Sequence, residues 1–287
     1  MSDLHSPILG WYDAHARTLP WRAASATPWG VLVSEFMLQQ TPVSRVLPVW
    51  IAWVERWPTP ASLAAVPSGE AVRAWGRLGY PRRALRLHGA ATAIQERHGG
   101  DVPTDLGALR ALPGVGAYTA AAVASFAFGQ RHVVLDTNVR RVFARAVLGA
   151  EFPANAVTKA ERELASSLLP DEEAVAANWA VAVMELGALV CTAANPACGG
   201  CPVSDRCAWL SAGKPDYAGP ARKVQTYAGT DRQARGRLLG VLRETDGSVA
   251  KIRLDTVWTD DVQRERALSS LVDDGLVVES HGRYALP

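Results

Sequence analysis

A mainly α-helical chain closed by a small winged-helix-like unit is what this 287-residue sequence predicts. Three observations lead there. Apolar residues recur at helical spacing through the first 210 residues, with little of the alternation that marks strands. Residues 211–231, SAGKPDYAGPARKVQTYAGTD, then read as a linker rich in Gly, Pro and polar residues. Beyond it, segments of helical period end in two short runs around His281-Gly282, the pattern of a strand pair. The expected organisation is therefore a helical region over 1–210, a linker over 211–231 and a winged-helix-like domain over 232–287.

The elements follow in order. Thr27-Pro28 has the form of an N-cap with proline at the first helical position, opening WGVLVSEFMLQQ, which stops before Thr41-Pro42. Helices are expected near 43–56, 69–76, 82–97, 105–111, 117–128, 137–148, 155–168 and 173–190. In the tail, RQARGRLLGVLRE and DVQRERALSSLVDDG have helical period, and LVVES and RYAL supply the strands. The stretch 259–275 sets Arg264 and Arg266 against Asp260, Asp261, Glu265, Asp273 and Asp274, which argues against a DNA-reading helix there. Arg232, Arg235, Arg237 and Arg243 on the preceding helix are better placed to touch DNA or to dock the tail. A chain cut near Gly229 is expected to fold without it.

Composition excludes some classes. No charged-then-apolar leader opens the sequence, and no apolar run reaches the ~18 residues of a membrane span, so a cytoplasmic, nucleoid-associated protein with no membrane partner is expected. Arginine makes up 26 of the 30 basic residues, yet the net charge is only +2. Charge alone does not mark a nucleic-acid binder.

All four cysteines, Cys191, Cys198, Cys201 and Cys207, lie within CTAANPACGGCPVSDRC. In a reducing compartment such a cluster points to metal or redox chemistry rather than stable disulfides. The spacing C-x6-C-x2-C-x5-C has a single C-x2-C pair, and by itself it leaves zinc and an iron–sulfur cluster both open.

Two further stretches carry chemistry. In LRALPGVGAYTAAAVASFAFG, Gly114, Val115 and Gly116 turn between two helices, and backbone N–H groups opening the second helix form a ready phosphate site. Glu35 is the one charge in WGVLVSEFMLQQ, with Val31, Leu32, Leu38 and Gln39 at helical spacing. Desolvation there favours a protonated carboxyl able to act as an acid; the alternative is a residue marking the solvent side of a core helix. Asp136 precedes a helix and reads as its N-cap, fixed and kept ionised by the positive helix end. An acid to protonate a departing base and an anion to stabilise a sugar cation are what cleavage of an N-glycosidic bond needs.

Taken together, LPGVG, LDTNVRRV and the cysteine loop over 191–207 resemble the helix-hairpin-helix base-excision glycosylases, with two helical subdomains and a [4Fe–4S] loop. SEFMLQQT and VLDTNVRRV are similar to the motifs of the MutY-type adenine glycosylases among them. The resemblance spans about residues 8 to 210. It implies that Glu35 delivers the proton to adenine N7 and that Asp136 stabilises the sugar cation and positions water. Tyr118 stands where bifunctional relatives have a lysine, which implies a monofunctional enzyme leaving an abasic site; a tyrosine packed between helices is the plainer reading. The resemblance places Arg17, Trp21, Arg22 and Glu185 around the adenine. It puts Gln39, Gln40 and Tyr80 in the DNA stack, and Gly114, Val115, Gly116 and Asn138 at the DNA. The implied partner is double-stranded DNA with adenine opposite 8-oxoguanine or guanine, bound by a monomer. Two departures stand out: TAANPA lacks the basic residues usual between the first two cysteines, and the tail is too short for a Nudix-like domain. A glycosylase for mispaired thymine or uracil, or a non-catalytic lesion-binding protein, is the alternative.

Overall fold

The computed structural model describes residues 4–217, 219 and 227–287, so positions 218 and 220–226 of the expected linker lie outside the described residues. The chain divides into two compact units, Met1–Leu32 with Thr104–Ala111 and Val115–Pro220, and Val33–Pro103 with Leu112–Gly114 and Ala221–Pro287. Helix α1 (His5–His15) opens the first unit, and α2 (Pro28–Leu38) carries the chain from the first into the second. Thr27 Oγ1 accepts from the Gly30 N–H at 3.1 Å, the N-cap that Thr27-Pro28 predicts.

The second unit continues with α3 (Val43–Arg56), α4 (Pro60–Ala64), α5 (Ser68–Trp75) and α6 (Arg82–Arg97). Helix α4, five residues long, carries no period to read; a reciprocal cap between Thr59 and Ser62 starts it. Trp53, Trp57 and Trp75 meet edge to face in this unit's core, with ring centroids 4.8 and 5.8 Å apart.

The first unit resumes with α7 (Leu106–Arg110), α8 (Ala117–Phe128), α9 (Thr137–Ala146), α10 (Lys159–Ser167), α11 (Glu173–Leu189) and α12 (Ala208–Ser211). Helix α10 begins later than expected because Thr158 and Glu161 form a capping box that fixes its start. Its core gathers Leu4 and Ile8 of α1 with Val139, Val142 and Phe143 of α9 and Trp179, Val183 and Leu186 of α11. Each such side chain contributes about 1.5–3 kcal/mol when fully buried. Helix α1, which the periodicity did not mark, is held by this packing and by a bond between His5 Nε2 and the Leu168 carbonyl at 2.7 Å.

The tail belongs to the second unit. It runs α13 (Asp231–Arg243), β1 (Val249–Ala250), α14 (Lys251–Asp255), α15 (Asp261–Asp273), β2 (Val278–Ser280) and β3 (Arg283–Ala285). The strands form an antiparallel sheet in the order β1-β3-β2. His281 and Gly282, with φ of 51° and 72°, make the two-residue turn that a right-twisted hairpin favours. Three helices and this sheet make up the tail. The arginines of α15 are spent inside it: Arg264 donates to Asp261 and Asp255, and Arg266 to both oxygens of Asp231.

This tail is docked rather than tethered. Arg73 on α5 donates to the carbonyls of Leu242, Arg243 and Thr245 at the end of α13. Arg243 returns a bond to the Val72 carbonyl at 3.0 Å, and burial pushes its pKa down to about 10. Asp274 pairs with both Arg235 and Arg82. The Gly69 N–H donates to the Pro287 carbonyl at 2.6 Å, so close that a Cβ at position 69 meets that oxygen. A chain cut near Gly229 therefore loses packing and bonds along α5. Gly69→Ala is expected to lower stability by about 1–3 kcal/mol, read as a lower thermal midpoint, with unchanged helix content by circular dichroism.

Candidate active site

In the first unit the anchor is Glu185 on α11. Its side chain is 0% exposed, a place where an isolated carboxylate is not tolerated. Arg17 answers it with a fork, Nε to Oε1 and Nη2 to Oε2 at 2.7 Å each, and adds its backbone N–H at 3.1 Å. Arg22 Nη2 donates to Oε2 at 3.0 Å. Burial acts to raise the Glu185 pKa, but the bonds from Arg17 and Arg22 outweigh it and hold the carboxyl at about 2. Arg22 Nη1 is buried with no hydrogen-bond partner among the described residues. Trp21 is buried beside these arginines in sequence. Tyr12, which no motif flagged, has its hydroxyl pKa raised by burial and feels both Arg22 and Glu185.

Asp136 caps α9. Its Oδ1 accepts from the Val139 N–H at 2.6 Å and its Oδ2 from Asn138 Nδ2 at 2.8 Å. Burial nevertheless pushes its pKa up, against those bonds and the charge of Arg141. The helix end alone therefore does not keep this carboxyl in the ordinary range. Asn138, expected at the DNA, uses both ends of its amide inside the protein, since its Oδ1 accepts from Arg141 Nη2 at 2.7 Å. Arg141 also donates to the carbonyls of Gly187 and Cys191 at 2.6 Å. At Gly187 an added Cβ meets Asn138 Cβ at 2.7 Å, so only glycine lets α11 pass this close to α9. An isolated glycine inside the apolar MELGALV was the available signal. Tyr118 is partly buried and rests against Ala121, Ala122, Val134 and Ala180.

All four cysteines line one cavity, together with Arg145, Val190, Pro196 and Trp209. Arg145 is 1% exposed and spans this loop, donating to the carbonyls of Thr192 and Ala193 and to Cys191 Sγ at 3.5 Å. Its guanidinium lies 4.6 Å from the centre of the Trp209 ring. Burial, then the neighbouring cysteines, raise the Cys201 thiol to about 11.

The second unit holds the other expected residues. Glu35 is 6% exposed, which rules out the solvent-facing reading. Gln39 and Gln40 follow the end of α2, and Tyr80 lies between α5 and α6 with 53% of its surface exposed. Gln40 and Tyr80 have φ of 55° and 47°, left-handed positions that side chains other than glycine's rarely take. Gly114, at φ 76°, has Arg86 Cβ 2.7 Å from where a Cβ of its own stands, so the turn demands glycine. In the first unit Val115 is buried, and Gly116 is the N-cap of α8, with no side-chain bond there.

Glu185→Gln is expected to cost about 3 kcal/mol at neutral pH, because it leaves buried guanidinium charge unanswered. The depressed pKa makes this contribution complete above about pH 4.5 and lost as pH falls to about 2. Denaturant unfolding of both proteins should therefore converge at the acid end.

A family described as HhH-GPD superfamily base excision DNA repair protein matches residues 33–168. The adenine DNA glycosylase of Mycobacterium tuberculosis is 54% identical over 283 residues, 98% of this chain and 92% of that protein. The match thus runs through the tail, farther than the motifs up to residue 210 suggested. Among solved structures, a thermostable thymine-DNA glycosylase superposes with a TM-score of 0.64 at 28% identity, over 72% of this chain and 94% of its own. A non-covalent endonuclease III–DNA complex gives 0.62 at 22% identity over 72% and 93%, a likeness of fold. With relatives this similar over almost its whole length, the chain belongs to the HhH-GPD superfamily of base excision DNA repair proteins, among the adenine DNA glycosylases.

Proposed function

We propose that this chain excises adenine from DNA opposite 8-oxoguanine or guanine, without cutting the strand, as a monomer at the nucleoid in the cytoplasm. The observation that carries adenine is the 54% identity to an adenine DNA glycosylase across 98% of the chain. The thymine-DNA glycosylase, at 28%, shares the fold at a much greater distance.

Cleavage of the N-glycosidic bond divides among the chain's own residues. Buried Glu35 gives its proton to adenine N7, so the base departs neutral. Asp136, oriented by Val139 and Asn138, stabilises the oxocarbenium-like sugar and positions the attacking water. Arg17, Trp21, Arg22 and Glu185 form the base pocket, and the unpartnered donor Arg22 Nη1 supports that reading. Gln39, Gln40 and Tyr80 fill the stack from which adenine leaves, and the turn at Gly114, Val115 and Gly116 presents backbone N–H groups to phosphate.

The cysteine loop fits a [4Fe–4S] cluster. Four thiols line one cavity, the donor set that a [4Fe–4S] cluster takes. Cys191, Cys198, Cys201 and Cys207 would be its ligands, and bound there it supplies iron–thiolate bonds that staple the loop.

Release of adenine from duplexes carrying each possible mispair tests the assignment; release of thymine or uracil instead would favour the more distant relatives. Glu35→Gln should slow adenine release by roughly 10²–10⁴-fold while keeping DNA affinity, since the amide preserves shape and loses the acid proton. The product should be an abasic strand that breaks only after hot alkali. Tyr118→Lys should introduce borohydride-trappable adduct and nicking by putting an amine near the sugar, and efficient trapping by the unaltered enzyme contradicts the role given to Tyr118.

A further inference from the structure

We propose that Arg83 is a positioning residue that fixes the two stack-entering segments, 38–41 and 78–80, against each other. The inference rests on the stack role given above to Gln39, Gln40 and Tyr80.

Arg83 lies in the first turn of α6 and is 6% exposed. Its Nη1 donates to the Phe36 carbonyl at 3.0 Å and the Gln39 carbonyl at 2.6 Å, where α2 runs out of its own donors. The same guanidinium lies 4.8 Å from the centre of the Tyr80 ring and 5.8 Å from that of Trp75. One planar cation thus grips the end of the α2 backbone and supports the Tyr80 ring. Thr41 adds a smaller tie, its Oγ1 donating to the Leu78 carbonyl at 3.4 Å. Arg83 Nη2 is buried without a hydrogen-bond partner among the described residues. Such an orphan is costly, and it is tolerated where the rest of the group is needed in place.

The geometry demands arginine. Lysine keeps the charge but has no plane to lie against Tyr80, and its point charge cannot hold two carbonyls and a ring at once. Arg83 bonds the carbonyl of Phe36, the residue after Glu35, so a defect carried through Glu35 slows release whatever the stacking, whereas loosening of segments 38–41 and 78–80 slows extrusion of adenine. The defect should therefore depend on how firmly the target adenine is stacked.

The test compares full-length wild type, Arg83→Lys, Arg83→Gln and Tyr80→Ala in single-turnover release of adenine opposite guanine. One duplex is Watson–Crick paired on both sides of the mispair, and the other has unpaired nucleotides flanking the adenine, where extrusion costs little. Loss of one charge-assisted bond corresponds to roughly tenfold. We expect Arg83→Lys to be slowed about that much on the paired duplex and to come within about twofold of wild type on the loosened one. Fluorescence of 2-aminopurine at the target position should rise less on binding than with wild type. A purely structural defect slows both duplexes equally, and that result overturns the inference, as does no slowing at all. Arg83→Gln, which keeps an N–H able to donate to these carbonyls, repeats the comparison should the lysine variant misfold. If Tyr80→Ala shows the duplex-dependent loss and neither Arg83 variant does, the Arg83 inference alone fails. If Tyr80→Ala is indifferent to stacking, the stack reading fails and takes the inference with it.

Discussion

A protein made of many short helices has a surplus of carbonyls. The last four of each helix find no partner within it, and a buried one left without a donor costs about 1–3 kcal/mol. Here buried and half-buried arginines meet that demand. Arg83 closes α2, Arg73 closes α13, and Arg141 and Arg145 reach the carbonyls at and beyond the end of α11. Arg131 does the same for Leu169 and Pro170 after α10. A guanidinium presents five donors in one plane and holds two or three carbonyls at once, which a lysine cannot do with the same rigidity. The preponderance of arginine over lysine thus has a structural use, separate from contact with phosphate.

Those cations also organise the acidic groups. Glu185 is admitted to the interior only because Arg17 and Arg22 are already oriented there. Asp136 is reached less directly, through an amide that Arg141 orients from its far side. The two carboxylates respond in opposite senses: direct guanidinium bonds hold Glu185 low, whereas burial dominates at Asp136. In the proposed reading, one is a permanently charged wall and the other a group that meets a transient cation.

Much of this was legible in the sequence because local signals set it. The starts of α2 and α9 follow from Thr27-Pro28 and Asp136, and the tail hairpin follows from His281-Gly282. The Glu185 cluster was reachable through resemblance, though nothing in RTLPWR or MELGALVC alone says that these segments meet. What escaped was of two kinds. Helices α1 and α4 are defined by tertiary packing or by five residues, too little for a period to register. Links such as Arg141 to Gly187, Arg73 to α13 and Arg83 to α2 join an arginine to a backbone atom, and every residue has the same carbonyl to offer. Side-chain chemistry leaves a mark in sequence, whereas the identity of a backbone acceptor leaves none.

The left-handed backbones at Gln40 and Tyr80 have one more consequence. A residue in that conformation cannot extend the helix or turn beside it, and in the proposed reading each of these exposed side chains enters the stack singly, as a tip one residue wide. Stacked bases are about 3.4 Å apart along a strand. A blade thicker than a single ring or amide would have to unstack several steps, whereas a tip of this width needs only one. Holding it in that conformation costs backbone strain of about 1–3 kcal/mol, met during folding. In the proposed reading, the enzyme meets the duplex with its probes already raised, and their narrowness limits how many neighbours it must disturb.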